Sequence, residues 1–179
     1  MKFNVEIIGK VPLLHERYPE EKYFGKSRQG GKKKAELSPE EEAEEALYVL
    51  NDKPIIPTKL FLGAMKKAAT MQKLEGKKPY KDIIRGGCLI QEDYYSMSRG
   101  EDKWELFGRA LKKKDGSTIM KYSPRFEKWS AKFTLLCSDE RAYPDGLRNV
   151  LEAAGLYFGI GGWHPQFGRF EIVKLEEVK

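Results

Sequence analysis

Two cysteines and two histidines are the only thiols and imidazoles that this 179-residue chain offers to a metal site or a nucleophilic cascade. Cys88 and Cys137 stand alone rather than in a C-x-x-C pair. With only His15 and His164 to join them, no zinc-type spacing can be assembled, and both cysteines read as buried thiols. No G-x-S-x-G, H-E-x-x-H, EF-hand loop or G-K-[ST] phosphate loop is present. Hydrolase triads, zinc peptidases, calcium sites and Walker-type nucleotide binding therefore have no sequence support. Long apolar runs are missing too: nothing approaches the ~20 residues of a membrane span. The opening MKFNVEIIGK is polar and alternating where a secretory signal has a continuous apolar stretch. The expectation is a cytoplasmic protein that enters no membrane and uses no metal or other cofactor.

What is present is a chain long enough for one proper core and too short for two, with 40% hydrophobic and 34% charged residues. Its formal net charge of +6 suits a polyanionic partner. The cations are segregated: Lys26, Arg28, Lys32, Lys33 and Lys34 lie in FGKSRQGGKKK, and Arg109, Lys112, Lys113, Lys114, Lys121 and Arg125 in and around GRALKKKDGSTIMKYSPRF. Acids concentrate elsewhere, above all in SPEEEAEEA, on what reads as the solvated face of a helix. Cationic loops on a less basic body fit phosphate backbones, and solvated loops that lysine keeps soluble are the alternative.

Periodicity organises the rest. Phe3, Val5 and Ile7 alternate with polar residues and predict a first strand with one buried face. Glu16 to Ala35 is aperiodic and reads as a long mobile loop. Ser38-Pro39-Glu40-Glu41 is a capping-box start for an acidic helix running to about Leu50. After a turn at Asn51-Asp52, TKLFLGAMKKAATMQ predicts a helix with Leu60, Phe61, Ala64, Ala68 and Met71 on its buried side, and close packing on a sheet accounts for its Gly63. CLIQEDYY is the next strand, with Tyr94 and Tyr95 either in the core or on an exposed platform. Glu105 to Phe126 reads as a basic hairpin around Asp115-Gly116. KWSAKFTLLC alternates as a half-buried strand, YPDGLRNVLEAAGLYF carries a helical apolar stripe, and FGRFEIVKL is the last strand.

With the acidic helix and the hairpin set aside as insertions at about residues 15–53 and 98–127, the order is strand, helix, strand, strand, helix, strand. That predicts a single α+β domain over 1–179 of the ferredoxin-like (RRM-like) βαββαβ type. Two helices would cover one face of its sheet and leave the other open, the face that RRM-type single-strand binders use.

The most unusual stretch is GIGGWHPQFGRF, residues 159–170. Gly159, Gly161 and Gly162 permit positive φ and close backbone approach, so consecutive N–H groups could point outward at an anion. Arg169 adds a charged fork, Trp163 a face for a stacked base, and His164 a titratable ring. The segment follows a helix and precedes a strand, the reverse of a dinucleotide fingerprint. In the structural reading of the same residues, Gly159 is a helix C-cap, Pro165 keeps the connection turned and Trp163 covers a core edge.

Gly159, Gly161, Gly168, Arg169 and Phe170, set between the last helix and last strand of such a unit, resemble the signature loop of the RAMP superfamily, which includes CRISPR-associated backbone, capping and guide-RNA-processing proteins. IPTKLFLGAMKKA resembles the entry into the first helix of backbone-type members, and VEIIGKVPLL fits their opening. The chain departs from the pattern in a longer Gly161-to-Gly168 spacing, in Phe170 where glycine is usual, and in being shorter than backbone subunits; a phage or mobile-element relative would share the fold. The resemblance implies a non-catalytic binder of single-stranded nucleic acid, RNA favoured over DNA, with possible self-association or ribonucleoprotein partners. The rival expectation is a metal-independent endoribonuclease, with His15 as candidate base and His164 second. A structural or inhibitory module docking on an acidic protein is the third.

Overall fold

The computed structural model describes residues 1–17, 37–72, 80–97, 103–140 and 145–178. In chain order its elements are β1 (Lys2–Gly9), β2 (Leu13–Leu14), α1 (Pro39–Glu45), β3 (Val49–Leu50), β4 (Lys53–Pro57), α2 (Thr58–Ala68), α3 (Lys81–Gly87), β5 (Cys88–Ile90), β6 (Tyr94–Ser96), β7 (Glu105–Lys112), β8 (Thr118–Phe126), β9 (Ser130–Cys137), α4 (Asp145–Ala153) and β10 (Phe170–Val178). The fold is α+β. The basic segment holding Lys26, Arg28, Lys32, Lys33 and Lys34 lies outside the described residues.

The alternation in KFNVEII is expressed as β1, the inner strand of a four-stranded antiparallel sheet ordered β10-β1-β9-β5. Phe3 faces Leu135 across the β1–β9 ladder and Val5 faces Phe133, so two alternating patterns meet on one buried side. A bulge opposite Glu6 and Ile7 leaves Val173 of β10 without a paired residue. Against the buried side lie α2, α3 and α4, the last continuing through a wider turn at Ala154–Phe158. Phe61 of α2 sits at the centre, with ring centroids 5.1 Å from Phe133 and 6.0 Å from Phe170. Each such side chain, fully buried, contributes about 1.5–3 kcal/mol.

Two smaller sheets flank this body. The hairpin β7–β8 is joined to it by β2, whose Leu13 pairs with Phe126. The second, ordered β3-β4-β6, turns at Asn51 and Asp52, both with positive φ (51° and 59°), the geometry of a two-residue primed turn.

Several sequence expectations need correction. The acidic helix starts at the predicted capping box, with Ser38 Oγ accepting from Glu41 N–H at 3.2 Å, but it ends at Glu45 because Val49 and Leu50 pair with β4. CLIQEDYY is two strands in two sheets: after β5 the chain bends, and the Glu92 carboxylate accepts the Thr134 N–H at 3.0 Å. Helix α3 has no sequence prediction behind it, since KDIIRGG is short, uncapped and ends in two glycines; burial of Ile83 and Ile84 holds it. Met71 leaves the buried side because α2 tightens into a 3₁₀ turn at Ala69–Met71. Cys88 and Cys137, read as solitary, face each other across the β5–β9 ladder with sulfurs 3.4 Å apart.

Gly63 is not explained by packing, because a Cβ built there meets no atom within 4 Å. Glycine in a helix interior costs about 1 kcal/mol relative to alanine, so Gly63→Ala raises stability by up to about that amount. An increase in the urea midpoint checks this; a decrease would mean that the site is crowded after all.

Candidate nucleic-acid interface

The connection from α4 to β10 is built on backbone contacts that side chains would obstruct. Gly159 ends the helical segment with φ 66°, as the C-cap reading expects, and its N–H donates to Ala154 O at 2.8 Å. Ile160 then turns into the core, 2% exposed, and donates to Gly168 O at 3.0 Å. Gly162 N–H donates to Leu14 O and Gly168 N–H to Pro12 O, each at 2.8 Å, while Lys10 N–H donates to Arg169 O. These bonds stitch the connection to the turn between β1 and β2. A Cβ at Gly161 would come within 2.5 Å of Leu14 O, and one at Gly168 would overlap the Ile160 carbonyl oxygen. The expectation of outward N–H groups at Gly159, Gly161 and Gly162 is corrected at two of them: Gly159 N–H caps its own helix and Gly162 N–H bonds the β1–β2 segment, as does that of Gly168, because the glycines serve close backbone approach.

The outer surface of the connection is made of side chains. Trp163, Pro165, Gln166 and Arg169 are exposed. Trp163 has φ 52°, a conformation that bulky residues avoid at a cost of about 1–3 kcal/mol, and keeps 42% of its surface exposed. The Arg109 guanidinium carbon lies 4.2 Å from the centre of its ring, a cation–π contact. Phe167 stacks beside it with centroids 6.0 Å apart and meets Phe107 of β7 at 5.3 Å. Exposed His164 has Nδ1 2.8 Å from Gly161 O and Nε2 3.0 Å from Lys67 Nζ. A carbonyl only accepts and an ammonium only donates, so one neutral tautomer satisfies both: Nδ1–H donates and Nε2 accepts. Arg169 Nε donates to Pro165 O at 2.7 Å.

The hairpin divides its predicted cations into two groups. Arg109 and Lys121, directly opposite each other on β7 and β8, both reach Glu16 Oε1, Lys121 at 3.3 Å. Arg125 pairs with Glu105 at 3.5 Å and with Glu127. Lys112, Lys113 and Lys114 are exposed at the tip and have no ion-pair partner among the described residues. The tip itself is a formed turn: Gly116 N–H donates to Lys113 O at 3.0 Å, and the Asp115 carboxylate accepts from Ser117 N–H and Oγ, which hold its carboxyl below the usual range.

His15 is elsewhere, with no exposed surface. Its ring lies between Tyr48 and Phe126, Nδ1 accepts the Tyr48 N–H at 3.3 Å, and Nε2 has no partner among the described residues. Burial lowers its pKa from 6.5 to about 3, so the ring is neutral at ordinary pH. A general base with neither nitrogen at the surface has no access to a 2′-hydroxyl, and the geometry offers the endoribonuclease expectation nothing at this residue.

The open face of the large sheet also differs from an RRM platform. Register and alternation place Asn4, Glu6 and Ile8 of β1 beside Ser130, Lys132 and Thr134 of β9 and Glu171, Lys174 and Glu176 of β10. Glu6 pairs with Lys132 at 3.0 Å, and no aromatic residue occurs in these rows. Tyr95, the platform candidate, is buried against Phe61 and Phe133, while Tyr94 is partly exposed. The exposed aromatic side chains among the described residues are Trp163, Tyr157 and Tyr94, none of them in these rows. Sequence reasoning missed Glu16, Lys67, Phe107 and Phe167, whose roles come from neighbours 60 to 97 residues away in the chain. Among the described residues no three His, Cys, Asp or Glu side chains converge as a metal site would require, and no helix is long and apolar enough to cross a membrane.

No protein-family description matches the sequence, and no curated protein matches it. Among solved structures the chain is similar to one from a cryo-EM structure of the Type III-B Cmr-beta bound to cognate target RNA, with TM-score 0.59 and 14% sequence identity. The match covers 99% of this chain and 60% of that one, so the present chain spans about three-fifths of the length of its structural neighbour. At that identity the likeness is one of fold.

Proposed function

We propose that this chain binds single-stranded nucleic acid, RNA in preference to DNA, as a non-catalytic component of a ribonucleoprotein. The observation that carries the reading is the Arg109–Trp163 contact, which joins the basic hairpin to the glycine-rich connection in one surface with exposed lysines, an exposed indole and Arg169. Lysines that no carboxylate among the described residues neutralises suit a phosphate backbone, and an indole suits a base. The sheet order β10-β1-β9-β5, all antiparallel, supports a single ferredoxin-like domain with the hairpin and acidic helix as insertions. A likeness of fold to a chain of the Type III-B Cmr-beta bound to cognate target RNA supports the RAMP relation and assembly with further copies or subunits.

The test is fluorescence anisotropy with labelled single-stranded RNA, single-stranded DNA and duplex DNA at two salt concentrations, each endpoint run on a denaturing gel. Salt-sensitive binding to intact single strands is the expected result. Replacing Lys112, Lys113 and Lys114 together by alanine lowers RNA affinity about tenfold at low salt and flattens the salt dependence by about 0.7 per phosphate contact removed. Cleaved RNA would move the reading to an endoribonuclease. Absence of binding to all three probes would leave a module that docks on an acidic protein.

A further inference from the structure

We infer that Glu16 is a positioning residue of this interface: its carboxylate holds Arg109 over Trp163 so that the indole offers its exposed surface to a nucleobase. The inference rests on the nucleic-acid reading above and deepens it, since it commits the partner to carrying planar bases and excludes a bare polyanion.

Glu16 stands where three parts of the chain meet. It follows β2 by two residues, its carboxylate takes both Arg109 and Lys121 from the hairpin, and its Cγ fills the space a Cβ would occupy at Gly162 in the connection. Arg109 and Lys121 are a directly opposed cross-strand pair of like charge, an arrangement that is destabilising by itself. One carboxylate bridging both removes that repulsion. The Arg109 side chain is only 10% exposed, so an unanswered guanidinium there would carry a desolvation penalty and would swing outward to water. Held by Glu16, it lies 4.2 Å from the centre of the Trp163 ring. Trp163 sits in a left-handed backbone conformation, which persists only where its surroundings over-determine it, and the contact with Arg109 adds to the backbone bond from Phe167 N–H to Trp163 O in doing so. For phosphate, by contrast, Glu16 is a liability: an anion beside two of the predicted cations lowers their pull on a phosphate backbone. Its placement makes sense when the geometry of the Arg109–Trp163 stack matters more than the local charge.

That opposition of effects makes the test decisive in sign. Glu16→Gln raises the formal net charge from +6 to +7, so a purely electrostatic interface binds every polyanion more tightly. A positioning role predicts about fivefold weaker binding of a single-stranded oligoadenylate, smaller quenching of tryptophan fluorescence by that oligonucleotide, and unchanged or tighter binding of inorganic polyphosphate, which has no bases. Arg109→Lys keeps the ion pair with Glu16 and loses the planar group over the indole; it is expected to show the same loss, and decides the matter if Glu16→Gln fails to fold. Circular dichroism and thermal melts identify that case. Oligoadenylate binding by either folded variant that equals or exceeds wild type overturns the inference while the nucleic-acid reading stands. Failure of the wild-type protein to bind oligoadenylate overturns both.

Discussion

Gly168→Ala lowers the stability of the folded chain by about 2–5 kcal/mol, a large part of the ~5–15 kcal/mol that holds a domain together. The expectation has two independent sources. Gly168 has φ 71°, where an L side chain meets the following carbonyl at a cost of about 1–2 kcal/mol. The added Cβ would also overlap the Ile160 carbonyl oxygen, which is backbone and cannot rotate away. Relief requires the two strands of the connection to separate, and Gly168 bonds both ways there: its carbonyl accepts from Ile160 N–H and its N–H donates to Pro12 O. Losing two buried backbone bonds adds about 1–3 kcal/mol. The check is urea denaturation, with the midpoint falling well below wild type. Because the connection carries Trp163, His164 and Arg169, the RNA affinity proposed above falls in the same variant even at temperatures where the core is folded. An unchanged midpoint would mean that the connection is looser than its hydrogen bonds indicate. The contrast with Gly63→Ala is instructive, since the same one-carbon change raises stability in one place and lowers it in the other according to whether backbone or open space faces the new atom.

Acid unfolds this protein partly through His15. Burial depresses the folded-state pKa to about 3 while the unfolded value stays near 6.5, so between those limits the unfolded chain binds a proton that the folded chain refuses. Stability from this group is fully present above pH 6.5 and is lost as pH falls toward 3, by up to about 1.4 kcal/mol per unit. For a domain of this size each kcal/mol is worth about 2–4 °C of melting temperature. Wild-type protein is therefore expected to lose several degrees between pH 6.5 and 4.5. His15→Asn retains, in Oδ1, an acceptor for the Tyr48 N–H and has no proton to take up, so its melting temperature, although lower at pH 7, falls less steeply over the same interval. Carboxylate titration is common to both proteins and cancels in the difference. Parallel pH profiles would show that His15 gains a proton without unfolding and that its ring reaches water.

Much of this architecture was legible before any coordinates. Alternation at Phe3, Val5 and Ile7 and along SAKFTLLC, the stripe of Leu147, Val150 and Leu151, the capping box at Ser38 and the turn at Asp115-Gly116 are all local signals, and each produced its element. The hairpin survived as predicted because its turn chemistry and its strands agree. The split of CLIQEDYY was not legible, because the bend at Gln91 and Glu92 is held by bonds to Thr134 and Thr58, residues more than thirty positions away. Nor was helix α3, which depends on the neighbours that bury Ile83 and Ile84.

The candidate site divides in the same way. The sequence by itself determined that the chain is basic, that its cations cluster along the chain, and that the glycine-rich connection is the place where backbone would come close to something. Folding decided what that something is: the β1–β2 segment, which takes the Gly162 and Gly168 N–H groups and leaves Trp163 and Arg169 outside. It also sorted equal-looking cations, giving Arg109 and Lys121 to Glu16 and leaving Lys112, Lys113 and Lys114 in solvent. It turned His15 from a candidate base into a core residue. The physical reason is one of range. Periodicity and turn chemistry act over a few residues and are written in the order of the chain. Charge pairing, desolvation and close approach depend on distance in space, and the residues that answer Glu16 and Lys67 lie 93 and 97 positions away from them.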